Sequence, residues 1–398
     1  MSTHPIHSSR EDEERESRAR RMLRLFAHLV GVTWGVAILT NLAVWHLAAQ
    51  PRYQSNVQMT VGWARIMKPI LADAYRPQIE VFGRSWARDA FDPETIGGLT
   101  AKRFFNHAVS GGTAYENRRF VQSQLAVNPD LQLAILNVNS FRQRLDEPVA
   151  HPGFDPSILN TDAEGRPQNG VSAARAFAIT LSGASVGFDI KFADILYRQE
   201  VLGQSRFETL ASYDRMDYSK RPKVPAARAH IIDGAARTTA ASNGDENRLQ
   251  PDFAIAVKAL CDAHVDVAVY ETPFSMSSDQ CDATKSQGLE TYDLIRSLQA
   301  HCASRISYYD FNYPNAITME GVSRPTDKGI FYRRDGHPRP PTGQIMFAAI
   351  TGSAMPRQAD GLKFDPDFGI DLMTLDRDAY RAWAADKGGR CMGKWRPD

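Results

Sequence analysis

The chain has 398 residues, of which 43% are hydrophobic, so it is long enough to bury a large core in one or two domains. Its 47 Lys and Arg residues are balanced by 46 Asp and Glu residues, for a formal charge of +1. This balance offers no basic excess for binding a phosphate backbone, and it therefore argues against a nucleic-acid-binding protein.

The N-terminal region indicates the compartment. A charged tail, residues 1–24, precedes a run from Leu25 to Pro51 that contains no Asp, Glu, Lys or Arg. A helix needs about 20 apolar residues to cross a bilayer. Residues 25–50 are therefore predicted to be a transmembrane signal anchor. A cleaved signal peptide and a buried soluble helix are the alternatives, but this run exceeds the length of a signal-peptide core and shows no polar face.

Basic residues set the predicted orientation of this anchor. Arg18, Arg20, Arg21 and Arg24 precede the span, whereas only Arg52 follows it closely. Under the positive-inside rule, the N-terminus is cytoplasmic and the rest of the chain lies in the periplasm or outside the cell. The sequence thus predicts a single-pass protein of the inner membrane.

The chain after the anchor alternates between helix and strand patterns. Residues 51–76 carry apolar side chains at helical spacing and are predicted to be an amphipathic stalk, followed by an α/β domain over residues 77–398. Strands are predicted at 79–82, 103–109, 131–136, 265–270 and 306–311, and helices at 113–125, 253–264, 289–302 and 344–350. Such alternation is typical of a parallel sheet.

Residues 142–250 interrupt this alternation. They are rich in Pro, Gly, Asp and Arg, and only residues 174–202 have a helical pattern, as one helix or two. A structureless segment of this length is uncommon inside a compact domain. The interruption is therefore predicted to be an inserted cap or substrate-binding region.

Polar and glycine-containing segments lie at the ends of three of the predicted strands. They are Gly83-Arg84-Ser85, the Asn-His-Ala-Val-Ser-Gly run at 106–111, and Asn137-Val138-Asn139. In open α/β folds, ligands bind at the carboxyl edge of the sheet, where such segments meet. Ser85 is therefore a candidate nucleophile, although a lone serine after a glycine is more often a turn or helix-cap residue.

Together with Asp335-Gly336-His337, these segments resemble the four blocks of the SGNH (GDSL-like) hydrolase family, which has a flavodoxin-like three-layer α/β/α fold. The resemblance covers roughly residues 77–141 and 250–352. It implies that Ser85 is the nucleophile, that His337 is its general base and that Asp335 orients the imidazole. It also implies an oxyanion hole made of the backbone amides of Ser85 and Gly111 and the side-chain amide of Asn139.

The sequence departs from the family pattern in three places. Arg84 and Ser140 stand where the family usually has aspartates, and Asp335-x-His337 replaces Asp-x-x-His. The shorter spacing is similar to that of membrane-linked polysaccharide O-acetylation proteins related to this family. Two other interpretations stay open. The Ser-Gly-Gly-Thr run at 110–113 suits a phosphate cradle but lacks its lysine, and Asp335 with His337 suits a metal but lacks a third ligand nearby.

The anchor and the resemblance together imply an extracytoplasmic serine esterase or O-acyltransferase. Its expected substrate is an acyl ester, in particular an acetyl ester, of a cell-envelope glycan, and it is expected to need no metal or cofactor. Arg84 and Arg339 are candidate contacts to an anionic substrate, with solvated surface residues as the alternative. Anchored members of the family suggest a multi-pass membrane acyltransferase as partner. The rival hypothesis is a catalytically inactive glycan-binding or scaffolding subunit.

The cysteines fit an exported domain. Cys261, Cys281, Cys302 and Cys391 have no Cys-x-x-Cys spacing, which argues against a structural zinc site. Cys261 and Cys302 both fall late in predicted helices that precede neighbouring strands, so they are candidates to pair. Three full pairings of the four cysteines stay open, as does the alternative that all are buried thiols.

Overall fold

The computed structural model describes residues 8–60, 63–143, 149–168, 183–204, 248–274, 285–313, 315–318, 331–332, 337–356, 364 and 366–389. The helices described there are α1 (Ser8–Ala49), α2 (Pro51–Met59), α3 (Ala64–Tyr75), α4 (Ser85–Ala90), α5 (Pro93–Gly97), α6 (Ala114–Val127), α7 (Gly183–Leu196), α8 (Pro251–Asp262), α9 (Lys285–Gln299), α10 (Pro340–Thr351) and α11 (Arg377–Gly389). The main-sheet strands are β1 (Ile79–Phe82), β2 (Phe104–Asn106), β3 (Leu133–Asn137), β4 (Asp266–Glu271) and β5 (Ile306–Asp310). A separate antiparallel ladder pairs Arg142–Gln143 with Arg248–Leu249.

The main sheet is parallel, with five strands in the order β2-β1-β3-β4-β5. In its register, Ile79 of β1 aligns with Phe104 of β2 and with Leu133 of β3. The order of the strands reverses between β1 and β3, and ligands of doubly wound sheets bind outside the carboxyl ends of the strands at such a point. The predicted α/β class with a parallel sheet is confirmed.

Helices cover both faces of the sheet. Successive side chains of a strand point to opposite faces, so Phe82 and Leu136 pack in one cluster with α6, α8 and α9. Val81 and Ile135 point the other way, into a cluster with α4, α5 and α10. Burial on both faces explains why these strands read as nearly continuous hydrophobic runs rather than as alternating ones.

The predicted elements of the domain coincide with observed ones, with two notable differences in length. The helix predicted at 344–350 spans Pro340–Thr351 in α10. The strand predicted at 103–109 ends at Asn106 in β2. The Asn106 side chain accepts a hydrogen bond from the backbone N–H of Ala108 (2.9 Å) and donates one to the carbonyl of Phe91 (2.6 Å). This local bonding ends the regular strand at Asn106, although the Val109 N–H still bonds to the Gly83 carbonyl (3.1 Å).

The N-terminal region contains one helix, α1, that is long and apolar enough to cross a membrane, among the residues described. Its candidate span is Glu14–Ala48. Residues 51–76, predicted to be a stalk, form α2 and α3, which pack into the body of the domain. Val57 and Met67 are buried in a cluster with the end of α1, and Ser55 bonds to the Asp92 carboxylate. The domain covers apolar side chains of this segment together with the basic residues Arg65 and Lys68.

The described parts of the insertion, residues 142–250, pack against helices. Phe154 and Ile158 join the core beside α6, and Phe188 and Phe192 of α7 pack against the end of α1. α7 and the π-helical turn after it, Tyr197–Val201, account for much of the predicted helix at 174–202. The greater part of the predicted cap lies outside the described residues.

A disulfide joins Cys261, at the end of α8, to Cys302, just after α9. The positions of these two cysteines in the predicted helices made them candidates to pair, and the structure pairs them. Cys281 and Cys391 lie outside the described residues.

Candidate active site

Ser85 and His337 lie side by side, although 252 residues separate them in the chain. The distance between His337 Nε2 and Ser85 Oγ is 2.9 Å. A histidine within hydrogen-bond reach of a serine hydroxyl is placed to take its proton during nucleophilic attack. The structure thus brings together two of the three residues predicted for the triad. The third, Asp335, lies outside the described residues.

The turn between β1 and α4 positions Ser85. A Cβ atom at Gly83 would lie 2.7 Å from the Ala87 Cβ and 3.0 Å from the Asn137 Cβ, so only glycine lets the chain leave β1 this close to the end of β3. Ser85 is the first residue of α4 and is half-buried. The predicted strand, glycine exit and helix start are all observed.

The packing of α10 on α4 positions His337. Gly343 of α10 approaches α4 so closely that a Cβ atom there would collide with the Ala90 carbonyl oxygen. The segment before α10 is held by an isolated bridge between Tyr332 and Pro338. These contacts hold the residues around His337 against the helix that begins with Ser85.

Of the other predicted oxyanion-hole positions, Gly111 lies in the loop after β2 and Asn139 in a short 3-10 helix, Val138–Phe141, directly after β3. Gly111 has φ +62°, a left-handed conformation that favours glycine. The Oδ1 atom of Asn139 accepts a hydrogen bond from the backbone N–H of Thr272 (2.8 Å). Because its oxygen is engaged, the Nδ2 group is the end of Asn139 that serves as a donor.

A chain of hydrogen bonds joins the ends of β1, β3 and β4. The Ser140 hydroxyl accepts from the backbone N–H of Arg84 (2.7 Å) and donates to Oδ1 of Asn137 (2.6 Å). The Nδ2 group of Asn137 in turn donates to the hydroxyl of Thr272. Sequence reasoning assigned no role to Asn137 or Thr272 and treated Ser140 only as a missing acid. The only sequence signal for these three residues was that each lies at the end of a predicted strand or just after it.

The two arginines proposed as substrate contacts differ in their surroundings. Arg84 donates from Nε to the backbone carbonyl of Gly112 (2.8 Å), which ties the loop carrying Ser85 to the loop after β2. Arg339 is the N-cap residue of α10 and is half-buried. Arg84 therefore has a structural partner within the chain.

Two basic side chains of α3 hold the loop after β2 from the opposite side. Arg65 donates to the carbonyl of Ser110 (2.6 Å) and lies 3.3 Å from the buried Glu116 carboxylate. Lys68 donates to the carbonyl of Ala108. Burial lowers the pKa of Lys68 well below its ordinary value and raises that of Glu116. Sequence reasoning missed both basic side chains, because it treated α3 as part of a stalk.

A second acid–base pair lies buried beneath the sheet edge. His107 Nδ1 is 2.6 Å from Glu80 Oε1, and both side chains are fully buried. Burial raises the pKa of Glu80 well above its ordinary value and lowers that of His107 well below its own. The neutral pair, with the carboxyl donating to the imidazole, is therefore favoured. Phe82 and Phe120 pack on the His107 ring, so a substrate has no access to this pair.

An aromatic pair flanks the Ser85–His337 site. The rings of Trp86 and Phe274 meet edge to face with centroids 4.7 Å apart, and the Trp86 ring centroid lies 6.4 Å from that of His337. Both aromatic residues are half-buried. They form an apolar wall next to the polar groups, as is common in sites for small organic ligands.

Comparisons with protein-family models, with curated proteins and with solved structures returned no significant match to this chain. The function is therefore inferred from the fold and from the geometry of the site.

Proposed function

We propose that the protein is a membrane-anchored serine esterase or O-acyltransferase of the SGNH type. Its domain would lie outside the cytoplasm and act on an acyl ester, in particular an acetyl ester, of a cell-envelope glycan. The observation that carries the proposal is the 2.9 Å distance between Ser85 Oγ and His337 Nε2 at the carboxyl edge of a parallel sheet.

In the proposed reaction, His337 Nε2 takes the proton of Ser85 as Oγ attacks the ester carbonyl. The oxyanion that forms accepts hydrogen bonds from the backbone amides of Ser85 and Gly111 and from Nδ2 of Asn139. Collapse of this intermediate expels the alcohol, which receives the proton from His337, and leaves an acyl-serine. Attack by water then completes hydrolysis, whereas attack by a sugar hydroxyl completes transfer. Asp335 is the residue proposed to orient the imidazole.

Two features support a glycan of the cell envelope as the substrate. The long apolar helix α1 suits a protein that works at a membrane. The half-buried Trp86 and Phe274 beside His337 offer apolar surface to the carbon-bound hydrogens of a sugar ring. A multi-pass membrane acyltransferase is the proposed partner, since transfer needs a source of acyl groups.

Labelling with a serine-directed fluorophosphonate probe tests the proposal on the full-length protein in membranes. The wild type should be labelled, Ser85→Ala should not, and His337→Ala should be labelled at least about a hundredfold more slowly, because the base is gone. Ser297→Ala, an exposed serine on α9, is the control and should behave like the wild type. Absence of labelling in the wild type, with unchanged cell-surface acetylation in Ser85→Ala, would instead support the inactive scaffolding subunit.

A further inference from the structure

Helix α7 has two apolar faces. Phe188, Phe192 and Ile195 are fully buried, and the first two pack in a cluster with Val44 and Ala48 at the end of α1. A surface helix of a soluble domain normally has one such face and a polar face opposite. We therefore expect the second apolar face to contact an apolar partner instead of water.

The second face is a strip of exposed side chains that continues into the π-helical turn. Val186, Ile190, Tyr197 and Val201 are between 47% and 67% exposed. At about 100° per residue, Val186, Ile190 and Tyr197 fall within an arc of about 40° on the helix. Val201 follows Tyr197 by about one turn of the π-helical segment. A contiguous exposed apolar strip of this kind is typical of an interaction surface.

The contacts between α7 and α1 place this strip beside the candidate membrane span. The side-chain amide of Asn41 on α1 donates to the carboxylate of Asp189 on α7 (2.7 Å). Leu39 and Leu42, which flank Asn41, are themselves exposed. Helix α7, which carries the strip, is thus packed against the part of α1 that also has exposed apolar side chains.

The length of α1 sets the height of α7 relative to a bilayer. Asn41 follows Arg24, the last basic residue before the apolar run, by 17 residues. Seventeen residues of α-helix span about 26 Å. The hydrocarbon core of a bilayer is slightly thicker, at about 30 Å. With Arg24 at one boundary of the core, α7 meets α1 near the other boundary.

We infer that α7 and its π-helical turn are a second membrane element, an interfacial helix whose exposed strip is covered by lipid. Charged residues border the strip on one side, where Asp194 and Arg198 form an ion pair (3.1 Å). An apolar strip next to charged residues is the arrangement of helices that lie in the membrane interface. The domain would then contact the bilayer through α1 and α7, which pack against each other, and not through α1 alone.

Photo-crosslinking of the full-length protein in nanodiscs of phosphatidylethanolamine and phosphatidylglycerol tests this inference. The photoreactive residue p-benzoylphenylalanine replaces Ile190 or Val201, one at a time. Leu29, exposed in the middle of the candidate span, is the positive control. Ile255 is the matched control, since it is an apolar residue of α8 that is 42% exposed. Mass spectrometry of the peptides identifies the adducts.

We expect lipid adducts at positions 29, 190 and 201, with roughly tenfold more at position 190 than at position 255, because an interfacial helix buries its apolar face among acyl chains. Lipid adducts at 29 without adducts at 190 and 201 would overturn the inference. Crosslinks from 190 and 201 to another part of the chain or to a second copy would do the same, and so would equal adducts at 190 and 255. The readout needs no activity, so it is independent of the role of Ser85.

Discussion

Arg84 and Ser140 are the residues at which the sequence departs from the acids of the SGNH pattern, and both have defined roles in the structure. Arg84 bonds to the Gly112 carbonyl, and Ser140 bridges the Arg84 N–H to Asn137. Both residues thus join the turn before Ser85 to neighbouring parts of the chain. The two departures are therefore compatible with a positioned nucleophile.

Replacing Ser140 with alanine should slow fluorophosphonate labelling of Ser85 by about 10- to 100-fold, because small displacements of a nucleophile cost this much. The variant leaves the Arg84 N–H without its acceptor, which should also lower the free energy of unfolding by about 1–3 kcal/mol. Labelling rate and thermal denaturation in detergent measure the two effects. Ser307→Ala, a buried serine on β5, is the control and should retain the wild-type labelling rate. An unchanged rate in Ser140→Ala would contradict the positioning role.

At the scale of elements, α3 connects the N-terminal helices to the loop that carries Gly111. Its Arg65 bonds both to the Ser110 carbonyl and to Glu116, whose other bonds cap the start of α6. The predicted stalk is thus a structural support of the proposed oxyanion hole.

Replacing Arg65 with methionine should cost about 3–5 kcal/mol of stability, because it leaves the Glu116 carboxylate buried without a cation. The double variant Arg65→Met/Glu116→Gln should regain much of this stability, since it removes the uncompensated charge. Both variants should be labelled at Ser85 more slowly than the wild type, because the Ser110 carbonyl lacks the Arg65 donor in each of them. Denaturation and labelling kinetics, measured on both variants, separate the two effects. Recovery of labelling together with stability would show that Arg65 acts on the fold alone.

The disulfide between Cys261 and Cys302 joins α8 to the end of α9 across a sequence separation of 41. Closing a loop of this length stabilises a fold by about 4 kcal/mol in the chain-entropy model. Cys261→Ala, Cys302→Ala and the double variant should therefore each lose a similar amount, because either substitution removes the bond. Chemical denaturation under non-reducing conditions measures the loss. Additive losses from the two single variants would indicate that the thiols act separately.

At the scale of the whole molecule, the orientation of the candidate span α1 would set the side of the membrane on which the domain lies. The basic residues before the span predict a cytoplasmic N-terminus. A reporter enzyme that is active only outside the cytoplasm, fused to the C-terminus, should be active in the wild type. Replacing Arg18, Arg20, Arg21 and Arg24 with asparagine should reduce that activity, because the charge asymmetry is lost. Arg52→Asn is the control and should retain it, whereas an inactive wild-type fusion would place the domain in the cytoplasm.

The sequence by itself determined the main-sheet strands, most of the helices that cover them and the candidate span, but it predicted neither α11 nor the small antiparallel ladder. Strand and helix patterns depend on neighbouring residues, so β-branched and aromatic runs indicated all five strands of the main sheet. The same periodicity showed that residues 51–76 have an apolar face. It could not show what covers that face, because the partner of an amphipathic helix is not a local property.

Only the tertiary structure decided which side chains meet. Ser85 and His337 were predicted as partners from a family resemblance, but their 2.9 Å contact results from the packing of α10 on α4. The bonds of Ser140 and the basic side chains of α3 had no recognisable pattern in the sequence. A hydrogen bond requires placement to within a few tenths of an ångström. Contacts between distant parts of the chain set that placement, and no short stretch of residues encodes it.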